Sequence, residues 1–407
     1  MSKKGVVLAD PLYSVSAEFL QNPYPALRRL RDEAPLFWSE KGKYWIVSRY
    51  AEVNAILRDL HYEKGLKRWR SYNPLLNLIP QVAHQMKFRG KGMLAQDPPD
   101  HTRLRSLVNK AFTPTRVNQM RIHIEEIANR LIDEVEKKGG MDLVADYAFV
   151  LPVTVICEML GIPPEDRDRF KGWSHALTEA LEPSQGMAKL VRAAGANKQL
   201  IDYLVPLVEK RRRDPQDDLI SALVLAEEEG SRLTEEELLA NIVLLLVAGH
   251  ETTVNLIGNG AHCLLTHEDQ KERLRSNPDL IESAVEEFLR YESPVQLVRR
   301  AAACDLSING QQIHENDALF LLTGSANRDE RQFERPDLLD IGRADNKHLG
   351  FGAGIHHCLG SSLARVEGQI AIATLLKRLP AIKLTRADLR YKMPFALRGL
   401  KELPVVF

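Results

Sequence analysis

The residues best suited to chemistry in this 407-residue chain lie in one short stretch, Phe351-Gly352-Ala353-Gly354-Ile355-His356-His357-Cys358-Leu359-Gly360. Gly352, Gly354 and Gly360 allow a tight loop with positive φ values and close approach of backbone to a flat ligand. Cys358 stands just before SSLARVEGQIAIATLLKRL, in which Leu363, Val366, Ile370 and Ala373 share one helical face. A sulfur at a helix N-terminus meets unpaired N–H groups and the positive end of the dipole, so the spacing predicts a lowered thiol pKa. The thiolate is the form of cysteine that ligates iron and pushes electron density toward O–O cleavage. A zinc site from His356, His357 and Cys358 is excluded, because three consecutive residues cannot close on one tetrahedral ion and no partner cluster exists. Cys157, Cys263 and Cys304 sit in apolar segments and read as small buried hydrophobes. With no CxxC pairing, the four cysteines make no disulfide framework.

A second pattern, Ala248-Gly249-His250-Glu251-Thr252-Thr253, lies inside a long apolar stretch. Small residues at 248 and 249 leave room for a ligand against a helix, and Thr252 can bond a carbonyl one turn earlier. His250 is given no ligand role. Glu287 and Arg290 are an i, i+3 pair on one helix, and His101 and Arg105 an i, i+4 pair on one face.

Helical periodicity dominates the elements that must position these groups. It marks Asn22 to Glu33, Pro114 to Lys137 (stopped by Gly139-Gly140), Tyr147 to Leu160, Pro164 to Leu181 and Met187 to Arg213. Thr234 is the expected N-cap of the longest helix, with Glu235, Glu236 and Glu237 in its first turn, running to about Leu265. Strand-like stretches are Tyr44 to Ser48, Val295 to Ala303, Leu306 to Ile308 before the Asn309-Gly310 turn, Ala318 to Leu322, and a further set between Ala381 and the C-terminus. The pattern predicts a single domain over residues 1–407, mainly α with a small antiparallel β region. Fifty-five basic against 55 acidic side chains leave no net charge to favour nucleic acid. No signal peptide or membrane anchor is expected, and the protein reads as cytoplasmic.

F-x-x-G-x-H-x-C-x-G, carried here by Phe351, Gly354, His356, Cys358 and Gly360, resembles the haem-binding loop of the cytochrome P450 superfamily, in its soluble bacterial form. The resemblance extends from NPYPALRRLRDEAP to the C-terminus. It implies the family's fold, with haem b between a long central helix and the cysteine-loop helix, and Cys358 as axial ligand. Phe351, Gly352, His356, Gly360, Ala248 and Gly249 would surround the cofactor. His101, Arg105, Arg300 and His356 would meet the propionates, with Arg299 as the alternative to Arg300. Glu251 and Thr252 would relay protons to dioxygen. Glu287, Arg290 and Arg343 would form a structural network. The reaction implied is insertion of one atom of O2 into an apolar substrate, by hydroxylation or epoxidation. Electrons would come from NAD(P)H indirectly, through a ferredoxin or flavodoxin docked near Arg103, Lys110, Arg116 and Arg365. By analogy the pocket would be lined by Leu75, Leu76, Ile79, Met86, Leu244, Ala248, Gln296, Leu297, Phe395 and Leu397. These favour a fatty acid, terpenoid, steroid or macrolide, and Arg68, Arg70 and Arg89 could pair a carboxylate. A monomer is expected. The alternatives are a peroxide-driven, isomerase or dehydratase haem-thiolate enzyme, and a non-enzymatic haem sensor.

Overall fold

The computed structural model describes residues 10–13, 15–65, 78–180, 186–228, 230–393 and 395–407. Leu75, Leu76, Arg68 and Arg70 lie outside the described residues.

The central helix, Glu235–Thr266, begins as its sequence dictates. Thr234 Oγ1 accepts from the Glu237 N–H at 3.3 Å, and the Glu237 carboxylate accepts from the Thr234 N–H at 2.9 Å. This reciprocal pair satisfies two of the donors every helix start leaves free. Arg103, on the helix Asp100–Ala111, bonds the same Glu237 and fixes where the two helices meet. The central helix is long and apolar enough to cross a membrane, but 67% of its apolar window is buried inside the protein, so it is a core helix.

Around it pack Val150–Met159, Ile281–Tyr291 and Ser361–Arg378, the last of which follows the cysteine loop. Pro114–Glu136 covers Ser361–Arg378 from the far side, with Ile124, Ile127, Leu131 and Val135 buried in one core. Arg167–Glu179 and Met187–Arg213 pair with each other at the edge.

The larger sheet has the order Leu36–Ser39, Tyr44–Val47, Ala318–Leu321, Val298–Ala302, Tyr62–Glu63. It is mixed, not wholly antiparallel: Ala318–Leu321 runs parallel to Tyr44–Val47, with Phe320 opposite Ile46. Strands joined by a two-residue turn must be antiparallel, but these two are separated by most of the chain, which leaves their direction free. The Asn309-Gly310 turn does close an antiparallel hairpin, with φ of 51° and 79° at its two residues. The observed strand begins at Val298, three residues later than expected, and Val295 forms only an isolated bridge with Leu397.

Candidate active site

The cysteine loop is bent by its glycines. Gly352 and Gly354 take φ of 68° and 69°, and a Cβ on Gly354 would run into the Leu57 carbonyl at the end of the helix Tyr50–Arg58. Gly360 differs from expectation: its φ is −83°, so its lack of a side chain serves no left-handed turn. The Cys358 N–H bonds the Phe351 carbonyl at 2.9 Å, closing the loop back on its start.

Cys358 has open surface yet is surrounded by protein, the situation of a group on the wall of an internal space. Burial pushes its thiol pKa up; the Gly360 N–H, Arg105 and Arg365 pull the other way and lose. Without a metal, loss of hydration outweighs a helix end and two cations. A metal ion would invert the balance, since coordination deprotonates a thiol outright.

The middle of the central helix carries open surface at Ala248 and partial exposure at Leu244, Val247, Glu251 and Thr252. A helix this buried exposes mid-helix residues only where a space opens against them. Thr252 Oγ1 donates to the Ala248 carbonyl at 2.9 Å, one turn back as expected, and Glu251 pairs with Lys392 at 3.4 Å. Gly249 is also partly exposed, and a Cβ there would lie 3.3 Å from Ile156, so the missing side chain admits the helix Val150–Met159 as well. His250 donates to or accepts nothing in the site; its Nδ1 lies 2.8 Å from the Leu246 carbonyl oxygen.

Beside the cysteine loop, cations gather without an anion to match. His101 is buried with its Nδ1 unpartnered, its ring 4.2 Å from that of His356, whose Nε2 is also unpartnered. Arg300 is 2% exposed and, among the described residues, donates only to the Arg299 carbonyl. Strand alternation places Arg299 on the opposite face, over the Phe320 ring at 5.3 Å. The nearby carboxylate, Asp97, is taken up by the N–H groups of Lys64 and Gly65 at 2.8 and 3.1 Å.

Burial, then Lys64, Arg300, His101 and Arg105, push the His356 pKa down to about 2; burial lowers Arg300 to about 10 and Lys64 well below its ordinary value. Lys64 was not foreseen. It follows the strand Tyr62–Glu63, whose Glu63 pairs with Ala301, so the next step along the ladder sets it opposite Arg300. No local pattern signals this. Buried donors and cations without partners fit a ligand with two carboxylates, and a porphyrin with two propionates beside a cysteine meets that description.

Glu287 and Arg290 are fully buried and doubly bonded at 2.7 and 2.8 Å. Arg343 Nε donates to Glu287 at 3.1 Å, the Asp340 N–H at 2.9 Å and Asn346 at 3.2 Å. Arg290 also donates to the carbonyls of Asn327, Pro336 and Leu338, which fasten the segment leading to the loop. One residue earlier, Glu286 holds Arg365 at 2.7 and 2.9 Å and His348 at 3.1 Å.

Several expected site residues lie elsewhere. Phe395 is 1% exposed and stacks on Phe19 at 4.8 Å, and Leu297 belongs to the same buried cluster. Gln296 is fully buried and donates to the Ser293 carbonyl at 2.7 Å. These three are packing residues, because the final hairpin folds over the N-terminal helices. Ile79, Met86, Leu244 and Leu397 keep partial exposure. Cys304 is exposed, not buried. Of the basic docking residues, Arg103 pairs with Glu237, Arg116 with Asp217 and Arg365 with Glu286, so their charge is largely neutralised.

Residues 77–390 match the family described as Cytochrome P450. The chain is 43% identical over 397 residues to the polyketide biosynthesis cytochrome P450 PksS of Bacillus subtilis (strain 168), covering 95% of this chain and 96% of that one. Among solved structures it is similar to P450BioI in complex with a hexadec-9Z-enoic acid-ligated acyl carrier protein, with TM-score 0.89, 42% identity and 97% and 100% coverage. A myxobacterial cytochrome P450, CYP267B1 in complex with myristic acid, also matches at TM-score 0.89, with 39% identity and 98% and 99% coverage. A glycine-bent cysteine loop, a core helix opened at Ala248 and cations awaiting carboxylates thus converge with these likenesses, and the chain belongs to the cytochrome P450 family.

Proposed function

We propose that Cys358 would hold the iron of haem b and that Lys64, His101, Arg105, Arg300 and His356 would hold its propionates. The chain is a haem-thiolate monooxygenase, an oxidoreductase that uses O2 and takes electrons from a separate redox partner. When bound, the haem supplies the oxygen-activating chemistry, placing one atom of O2 into a C–H or C=C bond and releasing the other as water.

The chain's own residues do the rest. Ala248 leaves the central helix open, so that a substrate can lie against it. Thr252 presents a hydroxyl on that stripe, its orientation set by the Ala248 carbonyl. Glu251, held at its rim by Lys392, would take protons from solvent and pass them inward to the Thr252 hydroxyl. Leu244 and Val247 keep the space apolar, which excludes water from the reacting carbon.

Electrons come, on this reading, from NAD(P)H by way of a ferredoxin or flavodoxin. Since Arg103, Arg116 and Arg365 are paired, the exposed Arg58, whose helix abuts Gly354, is the better docking residue. The substrate is an apolar molecule of the fatty-acyl, steroid, terpenoid or macrolide kind, and the protein works as a cytoplasmic monomer whose 407 residues form one domain.

The observation that carries this reading is the partnerless cation cluster set beside Cys358. Carbon monoxide added to the reduced protein tests it. The strongly red-shifted absorption of a thiolate-ligated haem is expected, and Cys358→Ser should lose it. Absence of that band in the purified, haem-loaded chain would overturn the assignment.

A further inference from the structure

We infer that Arg89 anchors a carboxylate on the substrate, and that the substrates are acids with long apolar tails oxidised far from the carboxyl group. This rests on the monooxygenase reading above and adds to it a ligand class and the residue that selects it.

Arg89 is the last residue of the helix Pro80–Arg89, whose inward face is set by buried Val82, Gln85 and Phe88. Arg89 is four residues after Gln85 and three after half-buried Met86, so it falls between them on that inward face. His84 and Lys87 are exposed on the other side. Despite this placement Arg89 keeps open surface, while burial alone lowers its pKa. A guanidinium facing bulk water is not desolvated, and one packed in the core has no surface. The combination puts Arg89 on the wall of an enclosed space.

No hydrogen bond or ion pair reaches the Arg89 guanidinium among the described residues. Elsewhere the chain treats arginines differently: Arg103, Arg116 and Arg365 each meet a carboxylate. A cation drawn out of water with no counter-charge is costly. The missing anion is accounted for if it arrives with the ligand, and a planar guanidinium fits a carboxylate bidentately.

The direction from Arg89 toward the reacting end can be read from the chain. Just past the helix, the Met93 N–H donates to Asn241 Oδ1 at 3.1 Å, and a Cβ on Gly92 would lie 3.5 Å from the Ala240 carbonyl oxygen. The segment carrying Arg89 is therefore docked near the start of the central helix. From there the open stripe runs turn by turn through Leu244 and Ala248 to Thr252, about 17 Å along the axis from Asn241 at 1.5 Å per residue. A cation lies toward one end, apolar side chains along the middle, and the Thr252 hydroxyl at the other. That order fits an extended chain acid whose tail, not its carboxyl end, meets the oxidant.

A competing role for Arg89 is to complement the dipole at its own helix C-terminus. That role makes no difference between an acid and its ester, so ligand binding separates the two. The test uses haem-loaded protein, with tetradecanoic acid and methyl tetradecanoate as probes, followed by the Soret shift and by calorimetry. Wild type should bind the acid at least about tenfold more tightly than the ester. Arg89→Gln should weaken the acid about 10–100-fold, the range of a charge-assisted hydrogen bond, and leave the ester unchanged; Arg89→Lys should keep part of the preference. Equal binding of acid and ester by wild type, or equal loss of both in Arg89→Gln, would overturn the anchor. Carbon monoxide spectra of the same preparations report on the haem-thiolate reading separately, and calorimetry still reads the anchor if those spectra fail.

Discussion

Glu251 and Thr252 stand one position apart on the open stripe of the central helix, but they are held differently. The Thr252 hydroxyl is tied to its own helix through the Ala248 carbonyl, whereas the Glu251 carboxylate is tied to Lys392 near the end of the chain. A proton relay through this pair predicts two separable defects. Thr252→Ala should raise hydrogen peroxide released per electron consumed several-fold, because oxygen is activated without its hydrogen-bond donor. Unchanged coupling, measured as product per electron, would count against the relay and favour a haem-thiolate enzyme that does not activate dioxygen. Lys392→Met should slow turnover about tenfold and enlarge the solvent isotope effect, at the low end of what a positioned acid contributes. Lys392→Arg should restore most of it, and a normal isotope effect in Lys392→Met would remove Lys392 from the relay. At this scale Cys358 and the acid–alcohol pair were readable because each lies in a contiguous pattern. Lys392 was not, since 141 residues separate it from its partner.

Elements are held together by a few buried carboxylates, and Glu286 illustrates the energetics. It joins the helix Ile281–Tyr291 to Arg365 on the helix after the cysteine loop and to His348 before it. Burial alone would raise its pKa, but hydrogen bonds from His348 and Arg365 outweigh burial and hold it down from 4.5 to about 2. A carboxylate depressed on folding stabilises the native state above its unfolded pKa, and that contribution is lost as pH falls through the folded value. The gap corresponds to roughly 3 kcal/mol, moderated by solvent because the side chain is 27% exposed. Glu286→Gln should therefore melt lower at pH 7, with a deficit that shrinks as pH drops below about 4.5. A deficit independent of pH would mean that packing, not charge, is the cause. Helix positions were largely legible at this scale, since Met187–Arg213 and the Thr234 cap follow from periodicity and capping chemistry. The parallel pairing of Ala318–Leu321 with Tyr44–Val47 was not, because alternation specifies a strand's faces and says nothing of its neighbour.

Across the whole molecule, the cluster gathers the basic side chains Lys64, Arg105 and Arg300 and the imidazoles of His101 and His356 from four separate stretches of chain. Their mutual repulsion predicts opposite effects of one substitution on two forms of the protein. Lys64→Met should raise the melting temperature of the haem-free chain while speeding haem loss from the loaded one, followed by transfer to a haem acceptor. A change of the same sign in both forms would mean that Lys64 does not face the propionates. The two ends of the chain are also joined here: Arg398 bonds Glu292 and the carbonyls of Leu20 and Gln21, and Phe395 rests on Phe19. This closure is why Phe395, Leu297 and Gln296 pack inward and leave the pocket. The sequence by itself determined the cysteine and its glycine-bent loop, the central helix with its acid and alcohol, and the helical character of the body. All of these depend on residues near one another in the chain, where backbone geometry acts directly. Tertiary structure alone decided which cations converge and which arginine of the 299–300 pair turns inward. Those outcomes depend on long-range juxtaposition and on loss of water, and neither is encoded in local spacing.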